Sequence, residues 1–386
     1  MTHMPKKLSC KIETRTKENK LRSLSLSNNL VDFSSNDYLG FAKNETLFSK
    51  IFQLVLRENI SQNGATGSRL ISGNHKLYSV LEDLLANFHQ TEAALVFNSG
   101  YDANIGFFSA VPQRGDFVFY DELIHASIRD GISMGHAKGY NYRHNDLEDL
   151  KRVLTSLKID TSIKGNTEVY VVTESVFSMD GNTPDLIAFA QFCKGNGFHL
   201  VVDEAHALGV LGNNGEGLVQ ELGLQASIFA RIITFGKAMG VHGAAILGGV
   251  ELMQYLLNFA RSFIYSTGLS PHAVASILAS YEFLNADGRE ERIQLTERLV
   301  YFREQIRKFK LEPYFIPSRS AIQSCVLPGV DKVKSISDKL KDDGFYVKPI
   351  LAPTVTAGQE RLRFCLHSYN SKEEIGLVLK LLSGYL

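Results

Sequence analysis

From about residue 33 to residue 265, short apolar runs alternate with stretches of helical period. Residues 94–97, 117–120, 169–173, 200–202, 231–234 and 244–247 are apolar runs bounded by Gly, Asp or Ser, and they read as strands. Between them lie patterns such as Leu77, Leu81, Leu84, Leu85 and Phe88, whose spacing lays one apolar face on a sheet. Strands alternating with helices predict an α/β fold built on a large, mostly parallel sheet. The last third of the chain changes character. Leu299, Phe302, Ile306 and Phe309 mark a long helix, and strands are expected at 323–327, 345–348 and 362–366. Ser371 and Glu374 form a capping box that opens a final helix burying Ile375, Val378, Leu379 and Leu382. This is the pattern of a smaller C-terminal α+β domain. The reading divides the chain into an N-terminal arm at 1–45, polar and irregular before Phe33, a large domain at 46–270 and the small domain at 271–386.

Composition narrows the picture. A chain of 386 residues with 44% hydrophobic and 21% charged residues has ordinary globular usage. Lysine plus arginine equals aspartate plus glutamate at 41 each, so no excess charge favours a polyanion, and nucleic acid is not an expected partner. The cysteines Cys10, Cys193, Cys325 and Cys365 are scattered without metal-ligand spacing. They suit a reducing compartment as buried or inert thiols, and no metal site is expected. No segment approaches the roughly 18 apolar residues of a membrane span, so the expectation is a cytoplasmic protein without a membrane partner.

Ligands of open α/β sheets gather beyond the carboxyl ends of the strands, and several of the expected strand ends carry polar residues. TFGKAMG at 234–240 delivers Lys237 just past the run Ile232-Ile233-Thr234. A lysine at the end of a buried strand can keep its amine partly unprotonated and form a Schiff base with an aldehyde. DEAH places Asp203 and His206 after the strand at 200–202, where a carboxylate can hold a pyridine nitrogen protonated. DELIHAS places His125, whose flat imidazole can stack on a planar ring. In NSGYDAN, Ser99 and Gly100 precede a helix whose first N–H groups suit a phosphate. Taken singly, each has a plainer reading. A loop lysine is as a rule a solvated charge, an aspartate caps a turn, a lone histidine is a satisfied surface or core residue, and a glycine serves geometry.

Two other enzyme classes lose support. A DEAH strand end also occurs in nucleic-acid-dependent ATPases, but those need a GxxxxGK[ST] phosphate loop, and here the residue five before Gly236 is Arg231 and the one after Lys237 is Ala238. A nicotinamide enzyme needs GxGxxG after its first strand, and GNNGEG at 212–217 has the wrong spacing.

The order SNDYLG (35–40), GATGSRLISGNHKLYSVLE (64–82), NSGYDAN (98–104), TESVFSMDG (173–181), DEAHALG (203–209), TFGKAMG (234–240) and IYSTGLSP (264–271) resembles the α-oxoamine synthases. These are pyridoxal phosphate enzymes of the aspartate-aminotransferase fold. The resemblance implies the PLP-dependent transferase fold type I, a large, mostly parallel α/β/α sheet domain with a smaller C-terminal α+β domain. It covers nearly the whole chain from Phe33 onward. It implies that Lys237 carries pyridoxal 5'-phosphate and moves protons at the substrate α-carbon, that Asp203 pairs with the pyridinium, and that His125 stacks on the ring. His206 and Ser178 would bond the phenolic oxygen. Gly100 and Tyr101 would offer backbone donors to the phosphate, helped by Thr234, and Thr267 would reach the phosphate of a neighbouring subunit, which implies a homodimer. Asn36 and Arg363 would line the side that takes the substrate carboxylate, and His75 lies in a matching motif without an assigned role. The implied reaction is a decarboxylative condensation of a small amino acid with an acyl thioester of coenzyme A or acyl carrier protein. GKAMGVHGAAILGG and PTVTAGQERLRFCLHSYN most resemble the member that takes L-alanine and a pimeloyl thioester. The alternatives are a member that takes glycine and acetyl-CoA, another α-oxoamine synthase, or a non-catalytic homologous binding subunit. One departure stands out: many relatives follow RLR with a pattern close to LTAAH, where this chain has Leu366-His367-Ser368-Tyr369-Asn370.

Overall fold

A computed structural model describes residues 4–22, 24, 29–157 and 167–386. Residues 1–3, 23 and 25–28 of the expected arm, and 158–166 of the expected large domain, lie outside the described residues. The chain groups into one unit of residues 36–178 and 182–296 and another of residues 1–35, 179–181 and 297–386. Among the described residues the strands are β1 (Val31–Asp32), β2 (Ala93–Phe97), β3 (Phe117–Asp121), β4 (Lys138–Tyr142), β5 (Val169–Glu174), β6 (His199–Asp203), β7 (Ala230–Thr234), β8 (Ala244–Gly248), β9 (Ile322–Val326), β10 (Phe345–Tyr346), β11 (Lys348–Ile350) and β12 (Arg361–Cys365).

The larger unit is built on a seven-stranded sheet of order β2-β8-β7-β6-β5-β3-β4. The pairs β4–β3, β3–β5, β5–β6 and β6–β7 are parallel, and β8 runs antiparallel to both of its neighbours. Every residue of β5 is buried, as are all but the first of β6 and all but the last of β7. Strands covered on both faces read as continuous apolar runs rather than as alternation, which is why VYVVTE, HLVVD and ARIIT stand out in the sequence. The edge strand β4, KGYNY, buries only Tyr142 and carries no such run; the sequence reading did not include it. The helices Gly100–Ala110 and Ala126–Met134 pack on each other, and Phe107, Phe108 and Ile128 join Phe97, Val201, Ile232 and Ile246 in one apolar core. Each fully buried phenylalanine contributes roughly 1.5–3 kcal/mol relative to leaving it exposed.

The smaller unit holds the antiparallel sheet β11-β12-β9 and the parallel pair β1–β10. The single strand expected at 345–348 is two strands in different sheets. The break falls at buried Val347, whose carbonyl accepts the Ser337 hydroxyl (2.7 Å). The capping box of the final helix, Lys372–Tyr385, is present, with Glu374 N–H donating to Ser371 Oγ (3.1 Å) and Ser371 N–H to Glu374 Oε2 (2.7 Å). Its four expected apolar residues are fully buried. The N-terminal segment is less irregular than expected: Lys6–Lys17 is a helix with no buried residue, formed by a stretch without Gly or Pro. Cys193, Cys325 and Cys365 are buried and Cys10 is exposed; burial pushes the Cys193 and Cys325 thiols up to about 12. No helix among the described residues is long and apolar enough to cross a membrane.

A buried guanidinium sits inside the large sheet. Arg231, in the second position of β7, is 3% exposed, and its Nε and Nη2 meet Glu204 Oε2 at 2.8 and 2.6 Å. Its remaining donors reach the carbonyls of His89 (2.9 Å) and Glu216 (3.0 Å), while Glu204 Oε1 accepts the Val219 N–H (2.9 Å). Removing one partner of such a pair leaves an uncompensated charge in the interior. Glu204→Ala is therefore expected to lower the unfolding free energy by about 3–5 kcal/mol, read from urea unfolding. A loss below about 1 kcal/mol would show that the guanidinium finds other compensation.

Candidate active site

The parallel strands β5, β6 and β7 bring their carboxyl ends together. In register, Glu174 lies beside Asp203, and Asp203 lies beside Ile232, two residues before Thr234. Asp203 is 6% exposed and Glu174 3% exposed, so two carboxyl groups stand abreast in a dry environment. Asp203 Oδ1 accepts the Ala205 N–H (2.9 Å), and Oδ2 accepts Asn104 Nδ2 (3.1 Å) from the helix Gly100–Ala110. Asn104 Nδ2 also donates to Ser127 Oγ (3.0 Å), and Ser127 Oγ lies 2.7 Å from His125 Nδ1. Ser127 N–H points at the same ring nitrogen (3.3 Å), which therefore acts as an acceptor and leaves the proton of the neutral ring on Nε2. His125 keeps an exposed face, yet desolvation by the groups packed around it holds its imidazole below the ordinary range; Asp203 and Asp130 act against this, and the Lys237 charge acts with it.

Lys237 is half-buried in a turn closed on both sides. Phe235 N–H donates to the Gly243 carbonyl (2.9 Å), Gly240 N–H to the Lys237 carbonyl (2.9 Å) and Val241 N–H to the Phe235 carbonyl (3.0 Å). Gly240 has φ +67°, and a β-carbon there would stand 2.4 Å from the backbone nitrogen of Ala42, so this turn requires glycine. The charges of Lys237 and Asp203 both act on His125 and on Glu174.

The helix Gly100–Ala110 starts beside this turn. Ser99 caps it by accepting the Asp102 N–H (3.1 Å). The N–H groups of Gly100 and Tyr101 precede the intrahelical ladder and carry the positive end of the helix dipole. A β-carbon on Gly100 would lie 3.5 Å from Thr234 Cβ and 3.6 Å from its Oγ1, so a bare glycine keeps the helix start open toward Thr234. Thr234 Oγ1 donates to the Gly243 carbonyl (3.2 Å). An amine, a carboxylate, an imidazole ring and a helix N-terminus together could hold a planar, anionic, aldehyde-bearing group.

The other expected residues fall as follows. His206, 5% exposed, has its Nδ1 2.7 Å from Tyr38 Oη, which in turn donates to Asn36 Oδ1 (3.2 Å). Ser178 is half-buried in the loop after β5, which closes through the Phe177 N–H and the Asn182 carbonyl (3.1 Å). The Tyr101 ring is exposed, with its hydroxyl donating to Asp130. The Thr267 carbonyl accepts Asn98 Nδ2 (2.6 Å) of the same chain. His75 precedes the helix Lys76–Phe88 and packs on Tyr78, with ring centroids 4.6 Å apart. Arg363 lies in the smaller unit, buried on β12, with Nη1 2.9 Å from Cys365 Sγ. There too the departure at 366–370 is a packed turn. His367 Nδ1 lies 3.0 Å from Asn370 Oδ1, its Nε2 lies 3.0 Å from Ser35 Oγ, and its ring stacks on Tyr369. These contacts give the departure an internal, structural use.

With this geometry in hand, comparison with known proteins is decisive. Residues 28–380 match the family Aminotransferase class I and II. The chain belongs to that family. It is 38% identical over 394 aligned positions to 8-amino-7-oxononanoate synthase of Emericella nidulans, covering 96% of this chain and 94% of that one. Among solved structures it is similar to 8-amino-7-oxononanoate synthase of Francisella tularensis, with TM-score 0.76, 29% identity and coverage of 92% and 98%. It is also similar to serine palmitoyltransferase of Sphingomonas wittichii, with TM-score 0.89, 25% identity and coverage of 100% and 98%. The resemblance to α-oxoamine synthases and the fold type I expectation are both borne out.

Within this aminotransferase frame, the sequence reading missed Tyr38, Asn104, Ser127 and Glu174. All four lie inside motifs that it quoted, yet the contacts of Tyr38, Asn104 and Glu174 depend on strand register and tertiary packing. The low affinity of the His125 ring for a proton, set chiefly by desolvation, has a measurable consequence. Between its folded value and the roughly 6.5 of an unfolded histidine, the unfolded chain binds more protons, so stability falls as pH falls through that window. His125→Gln is expected to flatten the decline in urea midpoint between pH 7 and pH 5 for the cofactor-free protein. An unchanged slope would mean that the ring takes up its proton as readily in the folded protein as in the unfolded chain.

Proposed function

We propose that this protein is a pyridoxal phosphate-dependent 8-amino-7-oxononanoate synthase, joining L-alanine to a pimeloyl thioester with loss of carbon dioxide. The observation that carries the reading is the meeting of Asp203, Lys237 and His125 at the ends of parallel strands, with a capped helix start beside Thr234. The similarity to synthases of that name at 36–38% identity supports it. When bound, pyridoxal phosphate supplies an aldehyde for the substrate amine and a ring that accepts the electron pair left on the α-carbon.

The chain's own residues do the rest. Lys237 would hold the cofactor covalently and, in the loaded enzyme, would take and return the proton at the substrate α-carbon. Asp203 keeps the ring nitrogen protonated by its charge, with Asn104 and the Ala205 N–H fixing the carboxylate. His125 would stack on the ring, His206 and Ser178 would bond the phenolic oxygen, and Gly100, Tyr101 and Thr234 would bind the phosphate. Asn36 and Arg363 take the substrate carboxylate, Arg363 through its planar fork. A carbon–carbon bond forms at the thioester carbonyl, the carbon–sulfur bond breaks with release of the carrier as its free thiol, and the amino-acid carboxylate leaves as carbon dioxide. The protein works as a homodimer in which Thr267 reaches the neighbouring phosphate. The acyl group arrives on coenzyme A or acyl carrier protein.

Borohydride treatment of the protein with bound cofactor, followed by peptide mapping, is expected to label Lys237. Lys237→Ala should lose turnover by about three or more orders of magnitude while still binding the cofactor noncovalently. Labelling of another lysine would overturn the assignment. In product assays, L-alanine with a pimeloyl thioester should have a higher kcat/KM than glycine with acetyl-CoA. One methyl group is worth roughly 1–3 kcal/mol of discrimination, so weak glycine turnover is compatible with this reading. A clear preference for glycine and acetyl-CoA would move the assignment to glycine C-acetyltransferase.

A further inference from the structure

Glu174 has no part in the mechanism above, yet it is a buried carboxyl at the centre of the strand ends. It closes β5, stands beside Asp203 in register, and its Oε1 accepts the backbone N–H of His125 at 2.6 Å. His125 is thereby held twice, its backbone by Glu174 and its ring by Ser127. We propose that Glu174 is a positioning residue that sets the height and tilt of the His125 ring over the bound cofactor by accepting the His125 N–H, and that it acts as a hydrogen-bond acceptor rather than as a charge. The proposal rests on the cofactor-binding reading above.

The surroundings explain why charge is not the means. Burial pushes the Glu174 carboxyl well above its ordinary range, and the adjacent Asp203 and the nearby Asp121 push the same way. Lys237 and the His125 N–H oppose them. Two carboxylates abreast in a dry site cannot both ionise at ordinary cost, and Asp203 is the one that the proposed chemistry requires as an anion. Glu174 then keeps its proton and still accepts at Oε1. The geometry needs a side chain of this length, since the acceptor must reach from the end of β5 to the residue that opens the helix Ala126–Met134.

Two substitutions of similar length separate acceptor from charge. Glu174→Gln keeps an oxygen acceptor without ionising, whereas Glu174→Met fills the space and leaves the His125 N–H unpaired. The readouts are the dissociation constant for pyridoxal phosphate and the circular dichroism of the cofactor absorption band. Glu174→Gln is expected to stay within about 3-fold of wild type with the same band, and Glu174→Met to bind about tenfold more weakly with a diminished band. On a His125→Ala background the Met substitution should cost less than about 2-fold, because its effect passes through His125. The proposal is overturned if Gln is as damaging as Met, if Met matches wild type, or if the Met effect persists in full without the His125 ring. Should Glu174→Met not fold, amide exchange over residues 121–128 of the Gln variant decides. Slow exchange at His125 as in wild type supports the proposal, and lost protection overturns it. Failure of wild type itself to bind pyridoxal phosphate would instead overturn the functional reading.

Discussion

A guanidinium inside a sheet must have each of its donors paired, and this requirement organises the edge from which the candidate site is built. Arg231 lies in β7 and Glu204 immediately follows β6, so their ion pair clamps together the two strands whose ends carry Asp203 and Lys237. The clamp extends outward through the His89 carbonyl, the Glu216 carbonyl and the Val219 N–H. His89 in turn meets Tyr281 (2.9 Å) on the helix Pro271–Asn285. A hydrophobic pair of the same volume could hold the strands as well, but it would slide more freely. Directional donors fix the register, and the register decides which residue stands at each strand end.

Beyond that clamp the charges of Asp203 and Lys237 are set among hydrogen bonds from neutral groups. Asp203 is tied through Asn104 and Ser127 to the His125 ring, and Glu174 ties the His125 backbone to the neighbouring strand. A buried polar network of this kind has only one arrangement in which every donor is used, so it orients a ring and a carboxylate together. The capped start of the helix Gly100–Ala110 adds partial positive charge without adding a titratable group.

Much of this was legible in the sequence, for physical reasons that can be named. Strands covered on both faces, β5, β6 and β7, announced themselves as continuous apolar runs, and the polar residues that ended those runs were Asp203 and, just past the turn, Lys237. The edge strand β4 and the split at Val347 left no such trace, because the first is mostly exposed and the second depends on Ser337 capturing a carbonyl. The contacts of Tyr38, Asn104, Ser127 and Glu174 were hidden for a different cause. Tyr38, Asn104 and Glu174 meet their partners across 49 to 168 positions of sequence, where only tertiary packing and sheet register bring them together, whereas Ser127 meets His125 two residues away in the cap of its helix. The departure at His367 shows the same limit, since its stacked, doubly bonded turn cannot be read from residue types alone.

The central claim is that the strand-end cluster binds pyridoxal phosphate and removes the α-proton of a small amino acid. Deuterium exchange at the α-carbon of L-alanine, followed by proton magnetic resonance with pyridoxal phosphate present and no thioester, tests it directly. The account predicts exchange by the wild-type protein and a steep loss in Asp203→Asn, whose amide cannot keep the ring nitrogen protonated. Absence of exchange in the wild type, or exchange by Asp203→Asn at the wild-type rate, would contradict it.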